Sequence, residues 1–587
     1  MSPETQQKTF ERIALCLSGG GYRASAFHFG SIDMLDELGL LDNIKMLSTA
    51  SGGTITAVAY ALSKVEGRPF EEFFTSFKTF LGEVNVVKEA LDRSCDTLDQ
   101  NKDAEISLVR FAAEIYQEKL FKNEKKDLGI FIDAVDKPFE ELIFNSVELN
   151  LGNSFRFRAS HRPAALIGNQ SFNLSTTKDI ARKILLGDII AASSCFPGVF
   201  DPFIFPDDFH FDAPAEVKRS LKSGFKDGDK NISLPIMDGG IFDNQGVDSI
   251  LMANEKDKNG EPVYDPIDVF VISDSNPLNE DLFPAPMPTR KIPYLSAGYT
   301  ESPLLEVTTN LAKRVRWWAN LFILGAFILL AAGVACLVSM GQFVSQNYAQ
   351  IVKGIPGTIL SHAVAAGIVL GVSLACIAAL FILFWLKKRV SRAQGFINDH
   401  NDFTFGTSSF GLWVFIKKLT LTGLVRILEG RVRSSLALLT DVFLKRVRSL
   451  GTKVLLSDPA MNRLVAFNYI NDLDTSVHRP QLWIDDGDLK PSPEMSRISE
   501  KAGHYQTNLW FDSTEDLEGL IMSGQMVICL SILKQLWARW RIDVTANAAL
   551  PKPSSPDSEF NALYTKVKEK WMEFKTGKRT SYRRIVS

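Results

Sequence analysis

The first 65 residues alternate between short apolar runs that end in small residues and longer segments with helical spacing. Residues 12–18 and 44–50 are largely apolar runs of strand length, which predict two buried strands. Apolar side chains recur at helical spacing from about residue 23 to residue 38, and Gly39 ends this predicted helix. A second helix is expected directly after the second strand. This order predicts a parallel pair of strands in an α/β layer fold.

The same pattern continues beyond these elements. Residues 66–135 are typical of charged surface helices, and residues 141–160 alternate as strands do. A helix is expected near 178–194, a strand near 232–237 and a buried strand at 268–273.

Two longer apolar runs lie in the middle of the chain, at residues 317–340 and 363–386. Each has 24 residues without a charge, which is enough to cross a hydrocarbon core of about 30 Å. Neither run has an amphipathic face, and tryptophans stand at their outer ends, which argues against a pair of buried core helices. The pattern therefore predicts a two-helix transmembrane hairpin.

Positive charges around these runs are unevenly distributed. The connecting residues 341–362 carry only Lys353, whereas the outer flanks carry Lys313, Arg314, Arg316, Lys387, Lys388, Arg389 and Arg392. The positive-inside rule then places both outer ends in the cytoplasm. Small residues spaced by four in the second run predict a smooth face that packs against the first helix or against a second copy of the protein.

Composition narrows the function classes. Hydrophobic residues make up 45% of the 587 residues, and 65 Lys and Arg against 68 Asp and Glu give a net charge of −3. Globular packing is therefore expected, without the basic field that would favour nucleic acid as a partner. The six cysteines are scattered and indicate neither a disulfide scaffold nor a zinc site. We expect no secretory signal, because the N-terminus lacks a basic and apolar start.

A glycine loop follows the first predicted strand. Gly19, Gly20 and Gly21 expose consecutive backbone N–H groups at the start of a helix, where an anion is stabilised. The spacing matches neither a nucleotide P-loop nor a dinucleotide fingerprint. An oxyanion hole for acyl transfer is the favoured interpretation, and close packing of the strand on the helix is the alternative.

Ser51 stands at the predicted turn from the second strand to the second helix. The small residues around it, with Gly52 and Gly53 after it, are typical of a nucleophile elbow. Thr49 departs from the usual glycine two positions before the serine. The alternative role of Ser51 is a helix N-cap.

Asp238 is the candidate partner of this serine. It ends a predicted strand and precedes Gly239 and Gly240, so that its carboxylate could meet a nucleophile on a neighbouring strand. Taken alone, Asp-Gly-Gly is more often a turn. A hydrolase with the order serine, aspartate, histidine would instead need His478 or His504.

These three segments, in this order, resemble the patatin-like phospholipases over residues 12–275 and 500–535. The resemblance implies a layered α/β fold with a central, mostly parallel sheet flanked by helices, with the hairpin as an insertion. It also implies that Ser51 and Asp238 form a catalytic dyad without histidine, and that the glycine loop is the oxyanion hole. Arg23 would orient that loop or meet a lipid phosphate. No metal or cofactor is implied.

The resemblance sets the expected domains. Residues 1–300 form the catalytic core, 301–392 the linker and hairpin, 393–540 the part that completes the catalytic domain, and 541–587 a basic tail.

Two segments concentrate positive charge. Residues 411–450 and 561–587 each carry eight Lys and Arg against two Asp and Glu. Both are expected to lie along anionic lipid, and a solvated helix face is the alternative for the first.

Together these observations predict a membrane-anchored serine lipid acyl hydrolase, of phospholipase A or lysophospholipase type, that acts through an acyl-enzyme. Its partners would be membrane phospholipids or lysophospholipids, with a second copy through the transmembrane helices, and no nucleic acid. We expect it in a bacterial inner membrane, with both termini and the catalytic domain in the cytoplasm. The alternatives are a transacylase or thioesterase with the same dyad, and a non-catalytic membrane scaffold that binds lipid or a regulatory partner.

Overall fold

The structure is a computed structural model. It describes residues 10–150, 152–162, 168, 178–197, 199–211, 215, 233–254, 261–277, 443–457, 464–475, 487–546 and 549–579, with scattered positions between 310 and 388. The chain divides into two compact units, Met1–Leu282 with Leu438–Ser587, and Phe283–Ala437. All elements named below belong to the first unit.

Strands and helices alternate through the first part of this unit, with a run of helices between the second and third strands. They are β1 (Ile13–Leu17), α1 (Gly21–Glu37), β2 (Ile44–Ala50), α2 (Gly52–Val65), α3 (Phe70–Glu83), α4 (Val86–Gln100), α5 (Leu108–Leu120), α6 (Gly129–Ile132), β3 (Glu141–Glu148) and β4 (Asn153–Ser160).

Shorter elements follow, and long helices complete the unit. They are α7 (Lys178–Ala181), α8 (Leu186–Ser194), β5 (Phe203–Phe205), β6 (Leu234–Asp238), α9 (Gly240–Asp243), α10 (Val247–Ala253), β7 (Val269–Asp274), α11 (Phe443–Ser457), β8 (Val465–Tyr469), α12 (Pro493–His504), α13 (Thr514–Ala546) and α14 (Asn561–Lys575).

The single helix expected near 178–194 is two helices, α7 and α8. The carbonyl groups of Arg182 and Ile184, between them, accept hydrogen bonds from Gly129 N–H at 3.2 Å and Leu128 N–H at 2.9 Å. These carbonyls bond to another segment, so the helix is interrupted at this point.

Eight strands of the described chain form one sheet in the order β5-β6-β3-β2-β1-β7-β8, with β4 also paired to β3. Four of the seven pairings are parallel, and β4 and β6 run antiparallel to β3. The sheet is therefore mixed, and its parallel part is the stretch from β3 through β2, β1 and β7 to β8.

The centre of the sheet is buried on both faces. Every residue of β1 is buried, and alternate residues contribute to two separate apolar clusters. Leu15 and Leu17 join the larger cluster, and Ala14 and Cys16 join a smaller one with Leu455 of α11. Continuous burial of this kind is typical of a parallel sheet that is covered on both sides.

Helix α13 packs closely against α1. A Cβ atom at Gly30 would lie 1.9 Å from the carbonyl oxygen of Ile521, and one at Gly524 would lie 2.0 Å from that of Phe27. Only glycine allows the two backbones to approach so closely. A helix that follows the two long apolar runs in sequence is thereby part of the same unit as β1.

Among the described residues, one helical stretch, Thr514–Thr545, is long and apolar enough to cross a membrane, and 78% of its most apolar part is buried within the protein. Such burial is typical of a core helix. Twelve of the 24 positions in the first predicted hairpin run, 317–340, are described, whereas only Trp385 is described in the second run, 363–386. Positions that are described within them, including Trp317 (59% exposed) and Leu324 (59% exposed), are helical. The hairpin stays a prediction.

The two basic segments are described in part. Residues 411–442 lie outside the described residues, and 443–450 begin α11. In the C-terminal segment, Arg579 is buried and forms an ion pair with Glu37 of α1 at 2.7 Å. The guanidinium of Arg579 in this basic segment therefore binds a carboxylate of the protein itself.

Candidate active site

The register of the sheet brings Ser51 and Asp238 to the same edge. Ala50, the last residue of β2, pairs with Asn145 of β3, and the next residue, Ser146, pairs with Asp238. Because β6 runs antiparallel to β3, its last residue lies beside the point where β2 ends. Two residues that are 187 positions apart in the sequence are neighbours for this reason.

Ser51 occupies a strained turn between β2 and α2. Its φ of 50° and ψ of −122° lie outside the regions that non-glycine residues normally adopt. The next two residues are glycines because the turn is crowded: a Cβ at Gly52 would lie 2.0 Å from the carbonyl oxygen of Gly21, and one at Gly53 would lie 2.4 Å from that of Leu17. The geometry is that of a nucleophile elbow.

The predicted nucleophile and base are neighbours in the structure. The hydroxyl of Ser51 lies within hydrogen-bonding reach of the carboxylate of Asp238 and lowers its pKa, and Asp238 Oδ1 accepts the N–H of Gly240 at 2.7 Å. Each of the two side chains is 5% exposed. Burial raises the pKa of Asp238 to about 6, and the Ser51 hydroxyl and the Gly240 N–H offset this effect only in part. The carboxylate is thus a stronger base than an exposed aspartate.

Buried hydroxyl groups form hydrogen bonds that fix the backbone of the turn at Ser51. Ser193 Oγ, at the end of α8, accepts the N–H of Ser51 at 3.0 Å and donates to the carbonyl of Asn145 at 2.6 Å. Thr54 Oγ1 lies 2.8 Å from Ser193 Oγ and 2.9 Å from Thr49 Oγ1. Thr49, which departs from the usual glycine, therefore has a hydrogen-bond partner across the turn.

The glycine loop lies beside the dyad, and its three N–H groups differ. Gly19 N–H donates to the carbonyl of Asn244 at 2.9 Å. Gly20 (φ 142°) and Gly21 (φ 57°) adopt conformations that favour glycine, and within the described chain neither N–H donates a hydrogen bond. Of the three donors predicted from the sequence, Gly20 and Gly21 are therefore the two that could bind an oxyanion.

The far end of this loop is held by chain that follows the apolar runs. Tyr22 N–H donates to the carbonyl of Asn508 at 2.7 Å. The buried guanidinium of Arg23 donates to the carbonyl of Tyr505 at 2.9 Å and to Asn276 Oδ1 at 3.1 Å. Of the two roles expected for Arg23, the geometry favours orientation of the loop.

The histidines of the described chain lie apart from the dyad. His28 is buried behind the loop, and burial lowers its pKa to about 4. His210 bonds to Asp188 and to a second carboxylate, and His504 is exposed at the end of α12. His161, which directly follows β4, is exposed. None of these four side chains hydrogen-bonds to Ser51 or Asp238, and His478 lies outside the described residues. Within the described part of the chain, no group of three or more His, Cys, Asp or Glu side chains is arranged to hold a metal ion.

Reasoning from the sequence missed the roles of Ser193, Asn145 and Asn244. Each makes its contacts with residues distant in sequence, so that no local pattern distinguishes it from an ordinary core residue. The one available signal was position, because Asn244 follows Asp238 by six residues and Ser193 lies in a small-residue helix.

Comparison with known proteins identifies the N-terminal part of the chain. Residues 15–251 match the family Patatin, described as patatin-like phospholipase. This stretch is therefore a patatin-like phospholipase domain, and it includes both Ser51 and Asp238. No curated protein matches the chain.

Fourteen chains among the solved structures also match. One is human GIVD cytosolic phospholipase A2, at 20% identity and a TM-score of 0.21, over 27% of this chain and 23% of that chain. Another is the same protein in complex with methyl gamma-linolenyl fluorophosphonate, at 21% identity and a TM-score of 0.21, over 27% and 24%. This chain spans about a quarter of the length of these neighbours, and a likeness at this TM-score supports no conclusion about the site.

Proposed function

We propose that this protein is a serine lipid acyl hydrolase of phospholipase A or lysophospholipase type, with Ser51 as nucleophile and Asp238 as general base. One observation carries the proposal: a serine in a strained strand-to-helix turn lies beside a buried carboxylate of raised pKa. The patatin-like domain over residues 15–251 supports the same class of reaction. An N-cap serine would need neither the carboxylate nor the strain.

The reaction follows from these positions. Ser51 Oγ attacks the carbonyl carbon of the ester while Asp238 accepts the hydroxyl proton. The carbonyl oxygen becomes an oxyanion, which the N–H groups of Gly20 and Gly21 stabilise by about 3 kcal/mol per donor. When the intermediate collapses, the carbon–oxygen bond to the alcohol breaks and Asp238 returns its proton to the leaving oxygen. The acyl group stays on Ser51.

Water completes the cycle. Asp238 takes a proton from the attacking water, a second oxyanion forms, and its collapse releases the fatty acid and returns the proton to Ser51 Oγ. A pKa of about 6 suits both steps, because the carboxylate is mostly ionised at neutral pH and is still basic enough to accept a proton.

Membrane anchoring is the second part of the proposal. The apolar runs 317–340 and 363–386 would hold the catalytic unit at the cytoplasmic surface of the bilayer, so that lipid substrate reaches it by lateral diffusion. The exposure of Trp317 and Leu324 supports a lipid-facing role for the first run.

A serine-reactive fluorophosphonate probe tests the dyad without a choice of lipid. The full chain, purified in detergent, should react, and Ser51→Ala should not. Ser194→Ala is the matched control, because Ser194 is equally buried but its hydroxyl donates to Ile190 of its own helix at 2.7 Å. It should react like the wild type.

Release of fatty acid from phospholipid and lysophospholipid micelles then identifies the reaction. Acyl transfer to added lysophospholipid without release of free fatty acid would indicate a transacylase. A wild-type chain that neither reacts with the probe nor cleaves either lipid would contradict the proposal and favour a scaffold.

A further inference from the structure

Asn244 joins the two loops of the candidate site. It directly follows α9, six residues after Asp238, and its main-chain carbonyl accepts the N–H of Gly19. Its side chain is buried, at 3% exposure. The residue therefore connects the loop that carries the base to the loop that carries the oxyanion donors.

The side-chain amide of Asn244 lies next to both members of the dyad. A Cβ atom built on Gly19 would lie 2.6 Å from Asn244 Oδ1 and 3.0 Å from Ser51 Cβ. One built on Gly240 would lie 2.7 Å from the same oxygen and 3.0 Å from Asp238 Oδ1. The amide oxygen thus occupies the space that side chains would need at both positions, which explains why both are glycines.

The nitrogen of this amide has no hydrogen-bond partner among the residues that the structure describes. Asn244 Nδ2 is buried and makes no hydrogen bond within the described chain. The oxygen faces two glycine Cα groups, where weak Cα–H···O contacts favour it over the NH2 group. A buried donor without a partner costs about 1–3 kcal/mol, and proteins rarely retain one without a use for it.

We propose that Asn244 Nδ2 is a third donor to the acyl carbonyl oxygen of the substrate, alongside the N–H groups of Gly20 and Gly21. This inference rests on the proposed function. As Ser51 attacks, negative charge develops on that oxygen, and an amide already fixed beside the dyad binds it with little reorganisation. The donor belongs to the loop of the base, so that the base and one oxyanion donor are held by a single segment.

The test is the hydrolysis of two esters by the full chain and by Asn244→Ala. One is a micellar lysophospholipid, and the other is a p-nitrophenyl ester, which has no phosphate. We expect kcat to fall about 10²–10³-fold for both, with KM within a few-fold of the wild-type value. A loss confined to the lysophospholipid would assign Nδ2 to the phosphate and overturn the inference.

Thermal unfolding separates this role from a structural one. Asn244→Ala removes an unsatisfied donor, so its Tm should equal or exceed that of the wild type. The neighbouring Gln245 is equally buried, but its Nε2 donates to Asp274 Oδ2 at 2.8 Å. Gln245→Ala should therefore lower the Tm while kcat stays within a few-fold.

A second variant separates the loss of the donor from the effect of the cavity that alanine leaves. Asn244→Asp keeps the shape and the oxygen but replaces the donor with an acceptor, and its kcat should fall at least as far as that of Asn244→Ala. Full activity in either variant, or a large drop in Tm with parallel changes in kcat and KM, would overturn the inference. A wild-type chain without Ser51-dependent activity would overturn the proposed function as well.

Discussion

The raised pKa of Asp238 makes a joint prediction about activity and stability. The folded protein holds this proton up to a pH of about 6, whereas an aspartate in the unfolded chain loses it near its ordinary pKa of 3.8. Because the folded state binds the proton more tightly, this group stabilises the protein at low pH. That contribution is lost as the pH rises through this window. At neutral pH, the ionised carboxylate of Asp238 therefore lowers the free energy of unfolding.

The size of the effect follows from the shift. A difference of about two units, at 1.36 kcal/mol per unit, gives about 3 kcal/mol. Asp238→Asn keeps the shape of the side chain and an oxygen that accepts from Gly240, but it has no charge to bury. As the pH rises from 3.8 to 7, the free energy of unfolding of Asp238→Asn should therefore increase by about 3 kcal/mol relative to that of the wild type.

Chemical unfolding in detergent, followed by tryptophan fluorescence at a series of pH values, measures this gain. Ester hydrolysis by the wild type should meanwhile fall about tenfold per pH unit below about 6, because only the ionised carboxylate accepts the proton of Ser51. Asp238→Asn should be inactive throughout.

A nearby carboxyl provides the control. Burial raises the pKa of Asp243 to about 7, and its oxygens accept the N–H groups of Val247 and Ser249. Asp243→Asn should retain the acid limb of the activity profile near pH 6. If that limb disappears in Asp243→Asn, or if Asp238→Asn is less stable than the wild type at pH 8, the assignment of Asp238 as the base is wrong.

Three further predictions test the support of the site. Ser193→Ala removes the acceptor of Ser51 N–H and should lower kcat by up to about 100-fold with little change in KM, whereas Ser194→Ala should leave both unchanged. Gly30→Ala should lower the free energy of unfolding by about 1–3 kcal/mol or more, because its Cβ would clash with a carbonyl of α13, whereas Gly519→Ala has open space and should be neutral or stabilising by calorimetry. Replacement of residues 312–392 by a flexible linker of about 15 residues should give a soluble protein that cleaves micellar esters but acts poorly on intact bilayers, and an aggregated product would contradict the boundaries of the insertion.

Local patterns predicted the elements that carry the site. Residues 44–50 were expected as a strand, and β2 is Ile44–Ala50, because an apolar run followed by small residues and two glycines has few other conformations. The same glycines predicted the elbow. The contacts behind the elbow were not predictable in this way, because Ser193 meets Ser51 only through the packing of α8 on the sheet.

The direction of β6 is a second feature that the sequence alone could not predict. Its sequence predicts a strand in either orientation, and only the pairing of Asp238 with Ser146 places the carboxylate beside Ser51. Similarly, Arg23 offered two roles, since its partners Tyr505 and Asn276 are hundreds of residues away. Register and long-range partners depend on the whole fold rather than on any local segment.

The contacts of Tyr22 and Arg23 with residues 505–508 also set an order of events during synthesis. Arg23 and Tyr505 are separated by 482 positions, so the ribosome makes Ser51 long before it makes the chain that binds the glycine loop. If the protein has the proposed activity, the nascent chain should stay inactive until both apolar runs have been made and the chain has returned to the catalytic unit. We therefore expect ribosome-bound chains that stop before residue 505 to be unreactive toward a fluorophosphonate probe, and longer chains with residues 505–579 outside the exit tunnel to react.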